Sequence, residues 1–270
     1  MRDRLLTMRR LFPLTAESAA PDLLVEREWD LGELADAYAY PEDGARPWLR
    51  GNMVASLDGA AYHDGRSQPL SCPADMRLFG VLRGLADVVI AGAETVRKEG
   101  YRPARAREAF AARRAALGQP PAPVIAVVSA SLDLDYSLPL FTEPAVPTLV
   151  LTGEAAVAER PERVRRARDA GAEVLTAGPG EGVEPATAVR LLAERGLTRQ
   201  LTEGGPRLLG QFAVTGVLDE LCFTLAPVVT AGAAPRIMEG PAITVPERFA
   251  LASVLEEDGF LFTRYRRGPG

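Results

Sequence analysis

The amino-acid sequence predicts an α/β fold in which helices flank a mixed, mostly parallel sheet that ends in an antiparallel C-terminal hairpin. Short apolar runs alternate with helical patterns through most of the chain, as in proteins built around a parallel sheet. The runs 88–91 and 124–128 are continuously apolar, which is typical of strands covered on both faces. Near the C terminus, two β-rich segments, 248–256 and 260–267, surround a turn and predict the hairpin.

Composition places the chain among ordinary soluble globular proteins. Of its 270 residues, 47% are hydrophobic and 25% are charged, and the formal net charge of −5 argues against a nucleic-acid binder. Two cysteines, Cys72 and Cys222, and one histidine, His63, exclude a disulfide framework and the usual structural zinc sites. We find no signal peptide and no apolar run that could span a membrane. We therefore expect a cytoplasmic protein without a metal.

The chain divides into an N-terminal extension, 1–46, and a single α/β domain, 47–270. The extension is of mixed character, with one helical pattern inside 28–40 and a proline-bounded linker at 41–47. We expect it to be an arm that packs against the domain, and we assign it no chemistry.

The segment 47–56 predicts a central strand that ends in a turn at 57–59. Asn52 is an unusual polar residue inside such a strand, because a buried Asn must find hydrogen-bond partners. Either a neighbouring loop satisfies it or it faces a ligand. The polar loop that follows, 60–71, is either a surface connection or a cover over an active site.

A helix is predicted to begin at Pro73, with Ser71 or Cys72 as its N-cap. Apolar residues continue at helical spacing as far as Leu85. Asp75 lies in the first turn of this helix. Its carboxylate either complements the helix dipole or points into a cleft.

A strand–turn–helix unit is predicted at 87–96. Its strand ends at Gly92 and Ala93, two small residues that let the backbone come close to a ligand. Thr95 is placed either to bind a phosphate or to cap the helix. The N–H groups at such a helix start favour an anion.

A second unit of the same layout spans 197–214. Glu203 stands at the end of its strand, Gly204 and Gly205 allow a tight turn, and Pro206 fits the first turn of a helix predicted over 206–214. The alternative is an ordinary turn between a strand and a helix. On one parallel sheet, the two units would form a ligand cleft at the strand ends.

Further elements are predicted between these units. They include a surface helix at 104–117, the buried strand 124–128 and one amphipathic helix over 154–170. The hydroxyls of Ser129 and Ser131 follow that strand, where they either contact a ribose phosphate or make a turn.

Four ordered motifs identify a resemblance. They are VASLDG at 54–59, DVVIAGAETV at 87–96, EGGP at 203–206 and VLDEL at 217–221. This set resembles the pyrimidine reductase domain of bacterial riboflavin biosynthesis, within the dihydrofolate-reductase-like superfamily. The resemblance extends from about residue 47 to residue 267 and implies that 47–270 is a reductase domain of that fold.

The resemblance implies an NADPH-dependent oxidoreductase that is usually a homodimer. Its substrate would be a ribosylaminopyrimidine phosphate of the 5-amino-6-ribosylaminouracil 5′-phosphate type, whose ribosyl group is opened to a ribityl chain. The implied cofactor-binding residues are Gly92, Ala93, Thr95, Val96, Ser129, Ser131, Gly204, Gly205, Pro206, Arg207 and Leu208. The implied substrate-binding residues are Asn52, Asp58, Ser67, Arg83 and Glu203. We take Asp75 and Glu203 as the candidates for orienting or protonating groups.

Two departures from the family pattern keep alternatives open. The chain lacks the H-x-E and P-C-x-x-C elements of the zinc deaminase domain that many members carry, so we expect the stand-alone form. After Ser67 the family often has an aromatic residue and a threonine, whereas this chain has Gln68-Pro69-Leu70. One alternative is a dihydrofolate or pterin reductase that uses Asp75 as its acid. Another is a non-catalytic NADP(H)-binding protein on the same fold.

Overall fold

One mixed sheet runs through the protein, which is described here from a computed structural model covering residues 7–12, 27–41 and 46–268. Within these ranges its strands are β1 Thr7–Phe12, β2 Arg27–Glu28, β3 Trp48–Ala55, β4 Val88–Gly92, β5 Val124–Val128, β6 Leu149–Thr152, β7 Glu173–Thr176, β8 Arg199–Thr202, β9 Glu220–Leu225, β10 Phe249–Glu257 and β11 Phe260–Arg267. The helices are α1 Leu31–Ala37, α2 Pro73–Leu85, α3 Ala93–Glu99, α4 Glu108–Ala116, α5 Pro139–Thr142, α6 Glu154–Glu159, α7 Pro161–Asp169, α8 Pro185–Ala193 and α9 Pro206–Val214.

The strand order is β2-β1-β10-β11-β9-β3-β8-β4-β5-β6-β7. Neighbours from β9 to β7 in this order are parallel, and those from β2 to β9 are antiparallel. The predicted mixed sheet and its antiparallel C-terminal hairpin are therefore confirmed. The C-terminal ends of all the parallel strands lie along the same side of the sheet, and the candidate site lies at these strand ends.

Alternating side chains of the central strands feed a hydrophobic core on each face of the sheet. In β4, Val89 belongs to the core under α2, α4 and α7, while Val88 and Ile90 belong to the core under α8 and α9. Successive side chains of a strand point to opposite faces of the sheet, and helices cover both faces. Every residue of β4 therefore faces a core, which is why its sequence is continuously apolar.

Two helix predictions need correction. The single helix expected over 154–170 is wrong, because α6 ends at Glu159 and α7 begins at Pro161. Arg160 has φ −127° and ψ 51°, since the proline ring disfavours the helical conformation of the residue before it. The helix expected from residue 104 begins only at Glu108, and residues 104–107 are not helical.

Part of the N-terminal extension packs on the sheet. β1 pairs antiparallel with β10, and Arg9 Nε lies 2.6 Å from Glu256 Oε2. α1 is held by a reciprocal cap in which the Glu33 N–H donates to Asp30 Oδ1 at 2.8 Å and the Asp30 N–H donates to Glu33 Oε2 at 3.0 Å. The rest of the extension lies outside the described residues, and the domain boundary at residue 46 stays a prediction.

A buried ion cluster joins β3, β9 and β11. Glu220 is fully buried, and its carboxylate lies 2.7 Å from Arg50 Nε, 2.8 Å from Arg264 Nε and 3.2 Å from Arg266 Nε. The Arg50 guanidinium is also fully buried, over the Tyr40 ring at 4.1 Å. Burial alone raises the pKa of Glu220, but the charges of Arg50 and Arg264 outweigh it and lower that pKa to about 2.

Candidate active site

The two predicted strand–turn–helix units meet at the C-terminal edge of the sheet. β8 lies between β3 and β4, so the turn after β8 and the turn after β4 are neighbours. The Gly92 N–H donates to the Gly204 carbonyl at 2.8 Å, and the Glu203 N–H donates to the Ile90 carbonyl at 3.0 Å. This is the position at which open α/β sheets bind ligands.

A cleft of about 1170 Å³ opens over these turns, and we call it the long cleft. The predicted cofactor residues that line it are Gly92, Ala93, Thr95, Ser129, Ser131, Gly205, Pro206, Arg207 and Leu208. Two predicted residues lie elsewhere. Val96 is buried in the core. Gly204 does not line the long cleft, and its carbonyl accepts a hydrogen bond from the Gly92 N–H. The roles of all of these residues stay predictions.

The turn after β8 requires glycine at two positions. Gly204 has φ +80°, in the left-handed region, and the Gly204–Gly205 peptide bond is cis. A Cβ on Gly205 would lie 2.7 Å from Thr95 Oγ1 and 3.0 Å from Tyr62 Oη. A side chain at position 205 would therefore collide with the Thr95 hydroxyl and crowd the Tyr62 hydroxyl.

α9 starts directly after Gly205. Its N-cap is Gly205, which has no side chain with which to satisfy the N–H groups of the first turn. Those groups and the helix dipole make the start of α9 suitable for a phosphate. The residues present at the long cleft thus fit a dinucleotide.

Cations stand at several points of the long cleft. Arg207 is 81% exposed and lies 4.0 Å from both Glu94 and Glu239, so neither ion pair holds it tightly. At the serine end, Arg163 stands behind the lining and donates from Nη1 to the carbonyl of the lining residue Ser131 at 2.7 Å. An arginine beside Ser131 fits an anionic group on an adenosine ribose.

A second cavity of about 760 Å³, which we call the inner cavity, lies on the α2 side of Glu203. Of the predicted substrate and catalytic residues, it is lined by Asn52, Ser67, Asp75, Arg83 and Glu203. The Asn52 side chain is half-buried and has no hydrogen-bond partner among the described residues, which favours the interpretation that it faces a ligand.

Glu203 and Arg83 were predicted separately, but the structure pairs them. Arg83 Nε donates to Glu203 Oε1 at 2.6 Å, and Arg83 Nη2 donates to Oε2 at 2.7 Å. The Tyr101 hydroxyl also donates to Oε2. The Arg83 guanidinium lies over the Phe79 ring at 4.4 Å and the Tyr101 ring at 5.3 Å. These two hydrogen bonds use two of the five Arg83 N–H donors, so Arg83 orients Glu203 and still lines the inner cavity with further donors.

Burial and charge both act on this group of residues. Burial lowers the pKa of Arg83, but the adjacent Glu203 carboxylate outweighs it, so that pKa is raised overall. Burial and the same carboxylate raise the pKa of Tyr101 well above its usual value. Arg83 is thus a permanent cation and Tyr101 a neutral donor. Sequence reasoning missed Tyr101, because it follows the end of α3 in no recognisable motif.

Asp75 points into the inner cavity from the first turn of α2. Its Oδ2 accepts from Ser71 Oγ at 2.6 Å, and its Oδ1 accepts from Thr224 Oγ1 at 2.7 Å. Burial raises its pKa, while the hydrogen bonds from Ser71 and Thr224 lower it less. The cleft-facing alternative therefore describes its position, and a raised pKa suits a group that holds a proton.

Asp75→Asn is expected to change how stability depends on pH. The folded wild-type protein binds the Asp75 proton more tightly than the unfolded chain does, so its stability falls as pH rises from the unfolded pKa through the raised folded pKa. The variant lacks this loss and gains stability relative to wild type as pH rises. Urea midpoints of both proteins across an acidic-to-neutral series check this, and a pH-independent difference would contradict it.

Asp58 lies away from the inner cavity, although it was predicted on the substrate side. It is exposed in the turn after β3, where its carboxylate accepts from Ser56 Oγ at 2.5 Å, the Thr230 N–H at 3.2 Å and the Ala231 N–H at 2.7 Å. The Ser56 hydrogen bond and these N–H groups lower its pKa to about 2. Asp58 thus ties the segment 228–235, whose end lines the long cleft, to this turn.

The polar loop 60–71 contributes to both cavities. Tyr62 and Thr95 line the long cleft and the inner cavity, and Ser67 lines the inner cavity, where its N–H donates to Glu99 Oε1 at 3.0 Å. His63 lines neither cavity and is half-exposed beside Asp64. The prediction of a cover over a site therefore describes this loop better than a plain connection does.

The sequence is similar to reductases of known function. A reductase from Archaeoglobus fulgidus, named 2,5-diamino-6-ribosylamino-4(3H)-pyrimidinone 5′-phosphate reductase, is 26% identical over 224 residues, which are 82% of this chain and 100% of the relative. The reductase of that name from Methanothermobacter thermautotrophicus is 27% identical over 203 residues, 73% of this chain and 86% of the relative. These names bear out the prediction of an oxidoreductase.

Solved structures show the same fold. A pyrimidine reductase-like protein from Corynebacterium diphtheriae superposes with a TM-score of 0.77 at 27% identity, covering 88% of this chain and 99% of that one. A bifunctional deaminase/reductase from Thermotoga maritima, with a TM-score of 0.63 at 19% identity, covers 83% of this chain and 57% of its own, and supports the fold alone. Among the described residues, no helix has the length and apolar character to cross a membrane.

The model of the RibD C-terminal domain matches residues 47–258. This range contains every site residue predicted from the motifs. The chain therefore belongs to the RibD C-terminal domain family.

Proposed function

We propose that the protein is an NADPH-dependent reductase that acts on a ribosylaminopyrimidine 5′-phosphate in riboflavin biosynthesis. The observation that carries this proposal is that a cleft fitted to a dinucleotide and a separate polar cavity adjoin at Thr95 and Tyr62. Two ligands held on either side of these residues would have their reacting ends close together. The cytoplasmic location and the homodimer implied by the family resemblance belong to the same proposal.

The reaction requires a hydride donor and a proton donor beside the substrate in the inner cavity. The ribosyl C1′–O4′ bond breaks, a C1′–H bond forms, and O4′ takes up a proton as the ring opens to a ribityl chain. NADPH bound in the long cleft would supply the hydride. Asp75, whose carboxyl group keeps a proton more readily than an ordinary aspartate, is the residue that we assign as the proton source.

Asn52 and Glu203 are the residues that we assign to the pyrimidine. The free amide of Asn52 offers both a donor and an acceptor to a ring edge. The Glu203 carboxylate, fixed by Arg83 and Tyr101, keeps one free lone pair on Oε1 that a substrate hydroxyl or amine can use. A rigid carboxylate orients the substrate without loss of side-chain entropy on binding.

Arg163→Ala is expected to weaken NADPH binding by about tenfold and to leave NADH binding unchanged. Arg163 stands beside Ser131, at the end of the long cleft that we assign to the adenosine ribose, where it would bind the 2′-phosphate that NADH lacks. A hydrogen bond to a charged group contributes about 1.5 kcal/mol, which corresponds to this tenfold loss. Calorimetric titration of both cofactors measures the effect. Arg165→Ala, which removes an exposed arginine of the same helix paired with Glu162, is the matched control. Equal losses for NADPH and NADH would place the 2′-phosphate elsewhere.

The proposed function is tested by product analysis. The purified protein is incubated with NADPH and, in parallel, with the diaminopyrimidinone form of the substrate, the aminouracil form, or dihydrofolate. A product heavier than the pyrimidine by two hydrogens and carrying an open ribityl chain would support the proposal, and the better pyrimidine would identify the true form. Turnover of dihydrofolate alone would establish the pterin alternative instead. NADPH binding without turnover of any acceptor would indicate a non-catalytic binding protein.

A further inference from the structure

Two residues separate the long cleft from the inner cavity. Tyr62 and Thr95 are the lining residues that the two spaces share among the described part of the chain. Both side chains converge on Gly205, since a Cβ built there would lie 3.0 Å from Tyr62 Oη and 2.7 Å from Thr95 Oγ1. The two spaces therefore adjoin at Tyr62 and Thr95.

One ring contact and one backbone hydrogen bond position Tyr62 and the loop that carries it. Its ring is half-buried, and the Lys98 ammonium lies 6.0 Å from the ring centroid. The neighbouring Ala61 N–H donates to the Pro235 carbonyl at 2.9 Å, which fixes the loop against the segment that borders the long cleft. An aromatic ring fixed at such a passage offers a flat surface to a planar ring of a ligand.

We propose that Tyr62 is a positioning residue for the nicotinamide ring, and that its side chain sets the point at which the cofactor enters the inner cavity. The proposal rests on the proposed function only in taking the ligand of the long cleft to be a nicotinamide dinucleotide. Nothing in the sequence pattern marks Tyr62, because it stands in a polar loop outside the motifs. Its role follows from where two separate spaces meet.

The test compares a whole cofactor with a fragment that lacks nicotinamide. Tyr62→Ala is expected to weaken NADP⁺ binding by about tenfold, the size of a lost aromatic stacking contact, and to leave the affinity for adenosine 2′,5′-bisphosphate unchanged. Tyr62→Phe keeps the ring and is expected to bind both ligands as wild type does. His63→Ala, from the same loop but lining neither space, is the matched control.

Each outcome decides the matter. Equal affinity of Tyr62→Ala and wild type for NADP⁺, or an equal loss for the fragment, would overturn the proposal. Tighter NADP⁺ binding by Tyr62→Ala would also overturn it, because the side chain would then obstruct the passage. If wild type binds the fragment and not NADP⁺, the inference fails as well. Wild type that binds NADP⁺ but reduces no pyrimidine would refute the proposed function and leave this comparison intact.

Discussion

Glu220→Gln is expected to lower the free energy of unfolding by about 3–5 kcal/mol, the typical cost of removing one partner of a buried ion pair. The carboxylate is fully buried and neutralises Arg50, which is itself fully buried, so the variant leaves a cation without compensation. Apart from the ion pair of Nε with Glu220, none of the three Arg50 nitrogens has a hydrogen-bond partner among the described residues, so no other acceptor would replace the carboxylate. Urea unfolding followed by far-UV circular dichroism measures the loss.

Glu173→Gln is the matched control for that experiment. Glu173 pairs with Arg195 at 3.0 Å, but its side chain is 53% exposed, so we expect a change within about 0.5 kcal/mol.

The contribution of Glu220 to the free energy of unfolding also depends on pH. Because its folded-state pKa, about 2, is below the usual 4.5, the stabilisation is present above pH 4.5 and is lost as pH falls toward 2. Similar losses of unfolding free energy in Glu220→Gln and Glu173→Gln would show that the buried ion cluster contributes no more than an exposed ion pair.

Glu203→Gln is expected to lower kcat/KM for the pyrimidine by about a hundredfold, equivalent to about 2.7 kcal/mol. The glutamine cannot accept both Arg83 donors as a carboxylate does, and it leaves the guanidinium without its counter-charge beside the substrate. Steady-state kinetics with the pyrimidine as the varied substrate measures the effect. NADPH affinity is expected to stay unchanged, since Glu203 lines the inner cavity and not the long cleft.

The double variant Arg83→Met with Glu203→Gln separates orientation from direct binding. If Arg83 acts through Glu203, the double variant loses no more activity than the worse single variant. Losses that add in free energy would show that Arg83 contacts the substrate independently. That result would support the substrate contact that the family resemblance implies for Arg83.

Much of the fold could be predicted because the local hydrophobic and proline patterns of the sequence match the burial and the helix starts that this sheet requires. The apolar run of β4 is covered on both faces, and Pro206 begins α9 where the pattern placed it. The break at Pro161 was missed because the amphipathic pattern continues across it, although the proline restricts Arg160. The Arg50–Glu220 pair could not be predicted, since it depends on the adjacency of β3 and β9, which are distant in sequence.

The candidate site divides in the same way. The two glycine turns were predictable because tight turns at strand ends need small residues, and parallel strands bring such turns to one edge. The Arg83–Glu203 pair was not predicted, because it depends on how α2 packs across β8. Tyr101 and Tyr62 belong to no motif, and only the structure shows that Tyr101 contacts Glu203 in the inner cavity and that Tyr62 lines both spaces.

Transfer of deuterium from the cofactor to the substrate tests the central claim most directly. NADPH labelled at C4 of the nicotinamide, on each face in a separate preparation, is turned over with the ribosylaminopyrimidine phosphate in ordinary water. The account predicts that one of the two preparations gives a ribityl product with a single deuterium at C1′, because the two spaces meet at Tyr62 and Thr95 and allow direct transfer. A product whose C1′ carries only solvent hydrogen with both preparations, or oxidised cofactor without a ribityl product, would contradict it.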